Sequence, residues 1–499
     1  MHGLYSVSQV RAIEQAALAA APQGALMRRA GAAAAALANR LLPSGGAVLV
    51  LAGPGNNGGD ALETAALLAH GGCQVTIHFA GSAESLSADA AAALQRAQAS
   101  PAAFGPADMA ARWDLAIDGL FGIGLARPLG GGLAALVLAL NALRCPVLAL
   151  DVPSGLDADT GAIVGPGGVA VRASHTVTFI ADKPGLHTAE GCDHAGLVDV
   201  ATLDIDASLY PPPSAALAGP ALFAARLAPR RENTHKGSFG DVAIVGGAHG
   251  MAGAAVLAAR SAAMAGAGRV FAGFIDTPPA YDPPHPEIMC RRAADLDLDL
   301  DLQRGAIVAG PGLGTGAEAH ALLTQALANA APLVLDADAL NMIAADVKLR
   351  AALIDRSAAT VMTPHPLEAA RLLGCSAADV QADRLEAARR LAASFSAMVV
   401  LKGAGSVMAR PDGMAVINIT GSPALATAGT GDVLAGLCGA LLAQHWPPWE
   451  ALLGAVWLHG AAADLLVELG TGPVGLVASE LPAAIRTCLN RLIRSQSGC

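Results

Sequence analysis

Residues 428–436 read Ala-Gly-Thr-Gly-Asp-Val-Leu-Ala-Gly, which places a carboxylate, Asp432, inside a turn suited to an anion. Glycines at 429 and 431 let the backbone turn tightly and bring its N–H groups against a phosphate. The apolar residues that follow read as a helix whose positive N-terminal end faces the same anion. A carboxylate beside phosphate is repelled unless it has chemistry to do there. Its natural task is to take a proton from a hydroxyl that attacks a phosphoryl group. Taken alone, the run also reads as a glycine-rich loop with an N-cap aspartate. A second turn, Lys402-Gly403-Ala404-Gly405-Ser406, ends a short apolar strand. Its lysine is a point charge and its glycines allow close backbone approach, a combination that suits the phosphates of a nucleotide. Gly310 to Gly314 would admit a flat ligand, and Asp336, Asp338 and Asn341 could hold magnesium or a ribose. Prolines 364 and 366 fix the backbone around His365.

The first half carries a different set. Gly53-Pro54-Gly55-Asn56-Asn57-Gly58-Gly59-Asp60 follows an apolar strand and precedes a helix expected over 61–68. It has two amides and an aspartate but no lysine, and it does not match the dinucleotide fingerprint. Asp118 precedes a glycine loop, Asp151 and Ser154 share another strand end, and Lys183 stands ahead of Pro184. If Asn57, Asp118 and Ser154 converge, they form an oxygen cage for potassium, with no thiolate or imidazole to favour zinc or copper.

These groups need a scaffold that presents strand ends. Continuous apolar runs at 48–51, 75–79, 115–118, 147–151 and 176–180 end in polar or glycine residues, the pattern of parallel strands covered on both faces. Ligands in such sheets sit beyond the carboxyl ends of the strands. A second series runs through 240–245, 270–274, 306–309, 333–336, 360–363 and 398–401. Between the two, Tyr210-Pro211-Pro212-Pro213 cannot continue a helix or a central strand and reads as a linker. The expected organisation is therefore two α/β domains, 1–213 and 222–496. Near the start, Ser6 with Gln9 reads as a capping box, with Val10, Ile13, Ala17 and Leu18 at helical spacing. The Asp/Leu alternation at 295–302 reads as an edge strand or surface loop.

Composition narrows the function classes. The 499 residues are 54% hydrophobic and 14% charged, enough to bury large cores. A net charge of −10 and only 3% aromatics argue against a nucleic-acid partner held by bulk charge or stacking. Eight scattered cysteines without a Cys-x-x-Cys pair suggest neither zinc nor a disulfide framework and fit a reducing cytoplasm. The N-terminus lacks a secretory profile, and the apolar runs 433–443 and 451–458 are too short to span a bilayer. A cytoplasmic protein without a membrane partner is expected.

Residues 225–495 resemble the C-terminal domain of the bifunctional NAD(P)H-hydrate repair enzymes, a ribokinase-like fold. The resemblance rests on residues 246–254, 310–314, 336–341, 363–368, 402–406 and 428–436, in that order. It implies an ADP-dependent dehydratase of (6S)-NAD(P)H-hydrate that uses magnesium. Ala254, Gly314, His365 and Asp432 would contact the hydrate, and Lys402 to Ser406 with Gly431 the adenine nucleotide. Residues 1–210 are similar to the epimerase half of the same enzymes, a Rossmann-like three-layer domain. There Asn56, Asn57, Gly58, Gly59 and Asp60 would bind the hydrate, together with Gly122, Ile123, Gly124, Leu125, Ala126, Arg127, Pro128 and Asp151. Asn57, Asp118 and Ser154 would bind potassium, and Asp151 with Lys183 would act as the acid–base pair. Arg28 stands where the family often has glutamate after Leu-Met. NADH-hydrate, NADPH-hydrate and ADP are the implied partners, and a homo-oligomer is expected. The alternatives are a vitamin or sugar kinase with a regulatory N-terminal domain, and an N-terminal interaction module.

Overall fold

The computed structural model describes residues 2–296, 298 and 305–496. The chain divides into two compact units, Gly3–Ala215 and a second that comprises His2 and the chain from Ala216 onward.

The first unit is built on a seven-stranded sheet. In spatial order its strands are Ala103–Phe104, Gln74–Phe79, Ala47–Ala52, Leu115–Gly119, Val147–Leu150, His175–Phe179 and Leu197–Ala201, with every neighbouring pair parallel. Alternate residues of the Ala47–Ala52 strand serve opposite faces. Val48 and Val50 pack with Val10, Ile13, Met27, Leu62 and Leu94 of four helices on one side. Leu49 and Leu51 pack with Val137 and Leu140 of the Gly131–Asn141 helix on the other. A sheet sandwiched this way is the three-layer, Rossmann-like architecture that the apolar runs predicted. The strand order reverses between Ala47–Ala52 and Leu115–Gly119, so a crevice opens beyond their carboxyl ends.

Four details differ from the sequence-based expectation. The helix after the Asn-Asn-Gly-Gly-Asp run is Asn56–His70, so the motif forms the first turns of the helix and not a loop before it. Leu18 closes the first helix but is 44% exposed, while Val10, Ile13 and Ala17 are buried as expected. The short strands Ala103–Phe104 and Leu197–Ala201 lack a long apolar run and were not legible. The proline segment is fastened to the first unit. The Gln9 side-chain amide donates to the Pro212 carbonyl at 2.8 Å, and the Tyr210 hydroxyl donates to the Ile180 carbonyl at 2.8 Å.

In the second unit the strands run Ala215–Leu217, Ala415–Ile417, Val407–Ala409, Met398–Leu401, Thr360–Met362, Leu333–Leu335, Gly305–Ala309, Asp241–Gly246, Arg269–Phe274 and Met289–Arg292. The stretch from Met398–Leu401 to Met289–Arg292 is parallel, and Val407–Ala409 pairs antiparallel on both sides. Val242, Val308, Val334, Val361 and Val400 form one core with the helices Ala252–Met264, Thr430–Ala443 and Pro448–Glu468. The last glycine of the Asp432 motif belongs to this packing: a Cβ on Gly436 would lie 2.0 Å from the Ala258 carbonyl oxygen. The run at 451–458, judged too short for a bilayer, lies within the 21-residue Pro448–Glu468 helix. That helix is long and apolar enough to cross a membrane, but its most apolar window is 67% buried inside the unit. The Asp/Leu alternation at 295–302 falls largely outside the described residues; Asp295 ends a single 3₁₀ turn, Ala293–Asp295.

Candidate active sites

In the first unit a cavity of about 460 Å³ lies beyond the sheet's carboxyl edge. Its wall includes Asn56, Asn57, Asp60, Gly122, Ile123, Gly124, Leu125 and Asp151. Asp151 follows the Val147–Leu150 strand in a γ-turn of the strained hand: its φ is 66°, and the Val152 amide donates to the Leu150 carbonyl at 2.8 Å. The adjacent strand end repeats the device at Ile180, with φ 69° and the Ala181 amide on the Phe179 carbonyl at 2.8 Å. Positive φ costs a β-branched residue most, so two such turns side by side mark a place where backbone strain is retained for position. Asp151 is then fixed from both sides. Its Oδ2 accepts from the Ile123 amide at 3.1 Å, and its Oδ1 pairs with Lys183 Nζ at 2.8 Å. Gly122 is required here, since a Cβ would sit 2.6 Å from Asp151 Oδ2.

Lys183 does not line the cavity. It is fully buried behind Asp151, and Nζ also donates to Thr178 Oγ1, the Phe179 carbonyl and the Ala181 carbonyl at 2.6, 3.0 and 3.1 Å. Its donors are used on these acceptors, and it holds Asp151 from behind. Of the expected Asp151–Lys183 pair, Asp151 alone lines the cavity. Gly58 and Gly59 also face inward: a Cβ on Gly58 would lie 1.9 Å from the Gly53 carbonyl oxygen, and one on Gly59 would strike Met27. Ala126, Arg127 and Pro128 are exposed and lie outside the cavity wall.

The expected potassium ligands converge in part. Ser154 Oγ donates to Asp118 Oδ1 at 2.7 Å and the Ser154 amide to Oδ2 at 2.8 Å. Burial pushes the Asp118 carboxyl up to about 6, against these donors. Asn57 is 8% exposed, and neither its Oδ1 nor its Nδ2 has a hydrogen-bond partner. An orphaned buried amide costs about 1–3 kcal/mol. A hard cation held by Asn57, Asp118 and Ser154 would satisfy the amide oxygen and the desolvated carboxylate together, so these residues fit potassium.

One carboxylate escaped sequence reasoning. Glu14, on the Val7–Leu18 helix, lines the same cavity as Asp60. Burial first, then Asp151, raises the Glu14 carboxyl above its ordinary value; burial followed by Asp151, Glu14 and Glu63 raises Asp60 strongly. An amphipathic helix gave no signal that this glutamate faces a site. Arg28, at the position that departs from the family, is exposed and bonds only locally, to the Gln23 carbonyl at 3.3 Å.

In the second unit the groups gather at the equivalent edge. Asp432 sits in the first turn of Thr430–Ala443, whose N-cap Gly429 has φ 91°. Lys402 Nζ reaches Asp336 Oδ1 at 2.8 Å, and Asp336 Oδ1 also accepts from Thr363 Oγ1 at 2.7 Å. A Cβ on Gly431 would lie 3.2 Å from Lys402 Nζ, so this glycine keeps the lysine against the helix start. Burial first, then Asp336, pushes the Asp432 carboxyl up to about 6, with Lys402 opposing. Burial works against the charge of Lys402, yet Asp336 and Glu368 hold its pKa above the ordinary lysine value.

His365 caps the Pro366–Leu373 helix: its Nδ1 accepts from the Leu367 and Glu368 amides at 3.1 and 3.4 Å. That leaves the proton on Nε2, which lies 3.2 Å from Glu368 Oε1. Burial first, then Lys402, lowers the His365 pKa and favours this neutral form. Glu368, pushed up to about 7 by burial, is a further site residue, signalled only by its place three residues after His365 in a capping box. The Gly314 amide donates to Asp338 Oδ2 at 2.8 Å, and a Cβ on Gly312 would lie 3.3 Å from the Ala254 Cβ, so Ala254 and the glycine loop are neighbours. In the 402–406 turn, Gly403 and Gly405 have φ 138° and 59°. Ser406 Oγ folds back on the Gly403 carbonyl at 3.0 Å, and buried Arg384 holds the Leu401 and Lys402 carbonyls at 3.2 Å each.

Magnesium is a poorer fit than potassium. Asp336 is committed to Lys402 and Thr363, Asp338 to Gly314, and Asn341 Oδ1 to Arg371 at 2.6 Å. Among the described residues no group of three His, Cys, Asp or Glu side chains could hold a metal ion. Magnesium carried on nucleotide phosphates needs no such cage.

Two family models match the chain: residues 242–484 match "NAD(P)H-hydrate dehydratase" and residues 23–185 match "YjeF-related protein N-terminus". The bifunctional NAD(P)H-hydrate repair enzyme of Coxiella burnetii is 36% identical over 98% of this chain and 99% of its own length. The chain belongs to the bifunctional NAD(P)H-hydrate repair enzymes. An ADP-dependent (S)-NAD(P)H-hydrate dehydratase of Neisseria meningitidis is 47% identical over 53% of this repair enzyme and 90% of its own length. The crystal structure of the ADP/ATP-dependent dehydratase of Bacillus subtilis covers 55% of the repair enzyme and 97% of the Bacillus chain, at 32% identity and a TM-score of 0.48. The repair enzyme thus carries an epimerase half and an ADP-dependent dehydratase half, as its sequence motifs predicted.

Proposed function

We propose that the cavity at Asp151 is where the hydrate is epimerised, and that Asp432 is the base of the dehydratase. Damage leaves a hydroxyl at C6 of the nicotinamide ring, and hydroxide is a poor leaving group. Asp432 takes the proton of that hydroxyl as its oxygen attacks the terminal phosphoryl group of ADP, and AMP departs. Phosphate then leaves C6 with its bonding pair, C5 gives up a proton to the departing phosphate, and the ring double bond of NAD(P)H is restored. The observation that carries this reading is a carboxyl lifted by burial to about 6 at a helix N-terminus, beside a lysine paired to Asp336. Lys402, the 402–406 turn and the amides of the helix start face the phosphates and stabilise the charge that moves between them. Ala254, Gly314 and His365 hold the hydrate; the neutral His365 presents an aromatic face without placing a charge beside the ring. A kinase with a regulatory domain is less supported, since it would accumulate a phosphorylated product and leave the Asp151 cavity without a role.

In the epimerase half, Asp151 faces C6 and Asn56, Asp60 and the 122–125 loop hold the ligand. Potassium, bound by Asn57, Asp118 and Ser154, would supply fixed positive charge beside the cavity. Asp118→Ala is expected to weaken epimerisation and abolish its dependence on potassium, while dehydration of purified S epimer persists. Anomalous scattering from potassium-soaked crystals checks the cage directly; a map with no ion near Asn57 would refute it.

The halves are expected to work apart. Strand Ala215–Leu217 pairs with Ala415–Ile417 and belongs to the dehydratase sheet, so a fragment should begin at Ser214 and not at Leu222. It is expected to fold and to consume only the S epimer. Consumption of the R epimer faster than spontaneous epimerisation allows would overturn the assignment.

A further inference from the structure

The epimerase cavity holds more acid than Asp151 alone explains. Glu14 enters from the Val7–Leu18 helix, Asp60 from the Asn56–His70 helix and Asp151 from the sheet edge, all lining one cavity. Binding a neutral hydroxyl needs no such concentration of carboxyls, and mutual repulsion destabilises it unless a proton is retained. The charged groups that bear on Glu14 are Asp151, then Arg11 one turn back on its own helix, then Lys183 behind Asp151; Asp60 also couples to it. The four acids of the wall, Asp89 included, outnumber Arg11 and Lys183, and Lys183 is already paired with Asp151.

We propose that Glu14 is a further catalytic residue of the epimerase: it protonates the C6 hydroxyl of the hydrate as the C6–O bond breaks. The inference rests on the placement of epimerisation at the Asp151 cavity. C6 is bonded both to the hydroxyl and to the ring nitrogen N1, so a planar intermediate is within reach. The proton of the Glu14 carboxyl passes to the hydroxyl oxygen, and water leaves with the bonding pair. The N1 lone pair forms an N1=C6 double bond, whose positive charge develops beside Asp151. Water then adds to the opposite face, forming a new C6–O bond, and gives its surplus proton to solvent, from which the Glu14 carboxylate is reprotonated. Nothing is consumed, and the configuration at C6 is inverted. Leu18, the half-exposed end of the same helix, lines the cavity with Glu14.

The test uses the full chain with R-NADH-hydrate and no ADP, following epimers by chromatography after subtraction of the spontaneous rate. Glu14→Gln is expected to lower kcat for epimerisation by about 10²-fold or more, the usual contribution of a positioned acid. The wild-type rate should fall as pH rises through the Glu14 titration, since the acid must be protonated, and the glutamine variant should lose that limb. Glu14→Asp should recover part of the rate. Melting of the first unit at the same temperature in all three shows that the epimerase half is folded. Epimerisation within about twofold of wild type in Glu14→Gln, or a slow variant that keeps the alkaline limb, would overturn the proposal. Asp151→Asn separates the two failures. If it abolishes epimerisation while Glu14→Gln does not, only Glu14 is wrong; if neither matters, the cavity is not the epimerase site.

Discussion

Asp432→Asn is expected to abolish dehydration while ADP still binds. The amide keeps the shape of the side chain, and Lys402 with the helix-start amides still faces the phosphates. What is lost is the proton acceptor, worth a factor of about 10²–10⁴ in rate. Removing a negative charge from beside the phosphates will, if anything, tighten ADP, so calorimetry should show affinity equal to or better than wild type. The wild-type pH profile carries the same signature. A base must be ionised, so kcat/KM for the S epimer should climb as pH rises through about 6, the value to which burial lifts Asp432, and level above it. The asparagine variant should lose that acid limb, and its epimerase should be untouched. Near-normal NADH release by the variant would remove Asp432 from the mechanism and leave its turn as a phosphate scaffold.

The sheets were legible because buried parallel strands read as unbroken apolar runs. Each run expected in the two series has its strand, from Ala47–Ala52 to Met398–Leu401. The edges were not. Met289–Arg292 and Leu197–Ala201 are partly solvated and carry mixed residues, so no period or apolar block announces them. Chemistry written at strand ends was legible for the same reason as the strands: Asp118, Asp151 and Lys402 each end or follow an apolar run that fixes where they stand, while Asp432 heads one. Groups placed by helices were harder. Glu14 shares its helix with residues of ordinary polar spacing, and its facing emerges only once the helix is docked. Side-chain direction was hardest of all. Lys183 looked like a chemical group because it stands at a strand end, fixed ahead of a proline; only the fold shows its ammonium turned inward to four acceptors.

That buried ammonium predicts the largest effect on stability. Lys183→Met keeps the length of the side chain but strands Asp151 Oδ1, Thr178 Oγ1 and two carbonyls without their shared donor. Breaking a buried pair by removing one partner costs about 3–5 kcal/mol, because the remaining charge is left uncompensated. The first unit should therefore melt well below wild type, and epimerisation should be lost with it, since Asp151 also loses its anchor. The Ser214 fragment lacks Lys183, so its melting marks the transition of the second unit, which should stay where it is in the variant. Adding Asp151→Asn to Lys183→Met should restore part of the lost stability: the stranded charge is gone, and asparagine tolerates the positive φ at this position. It should restore no epimerase activity. A Lys183→Met chain that melts like wild type would mean that the lysine carries no such pair in solution. A double variant that epimerises would show that the strained carboxylate at 151 is not what the reaction needs.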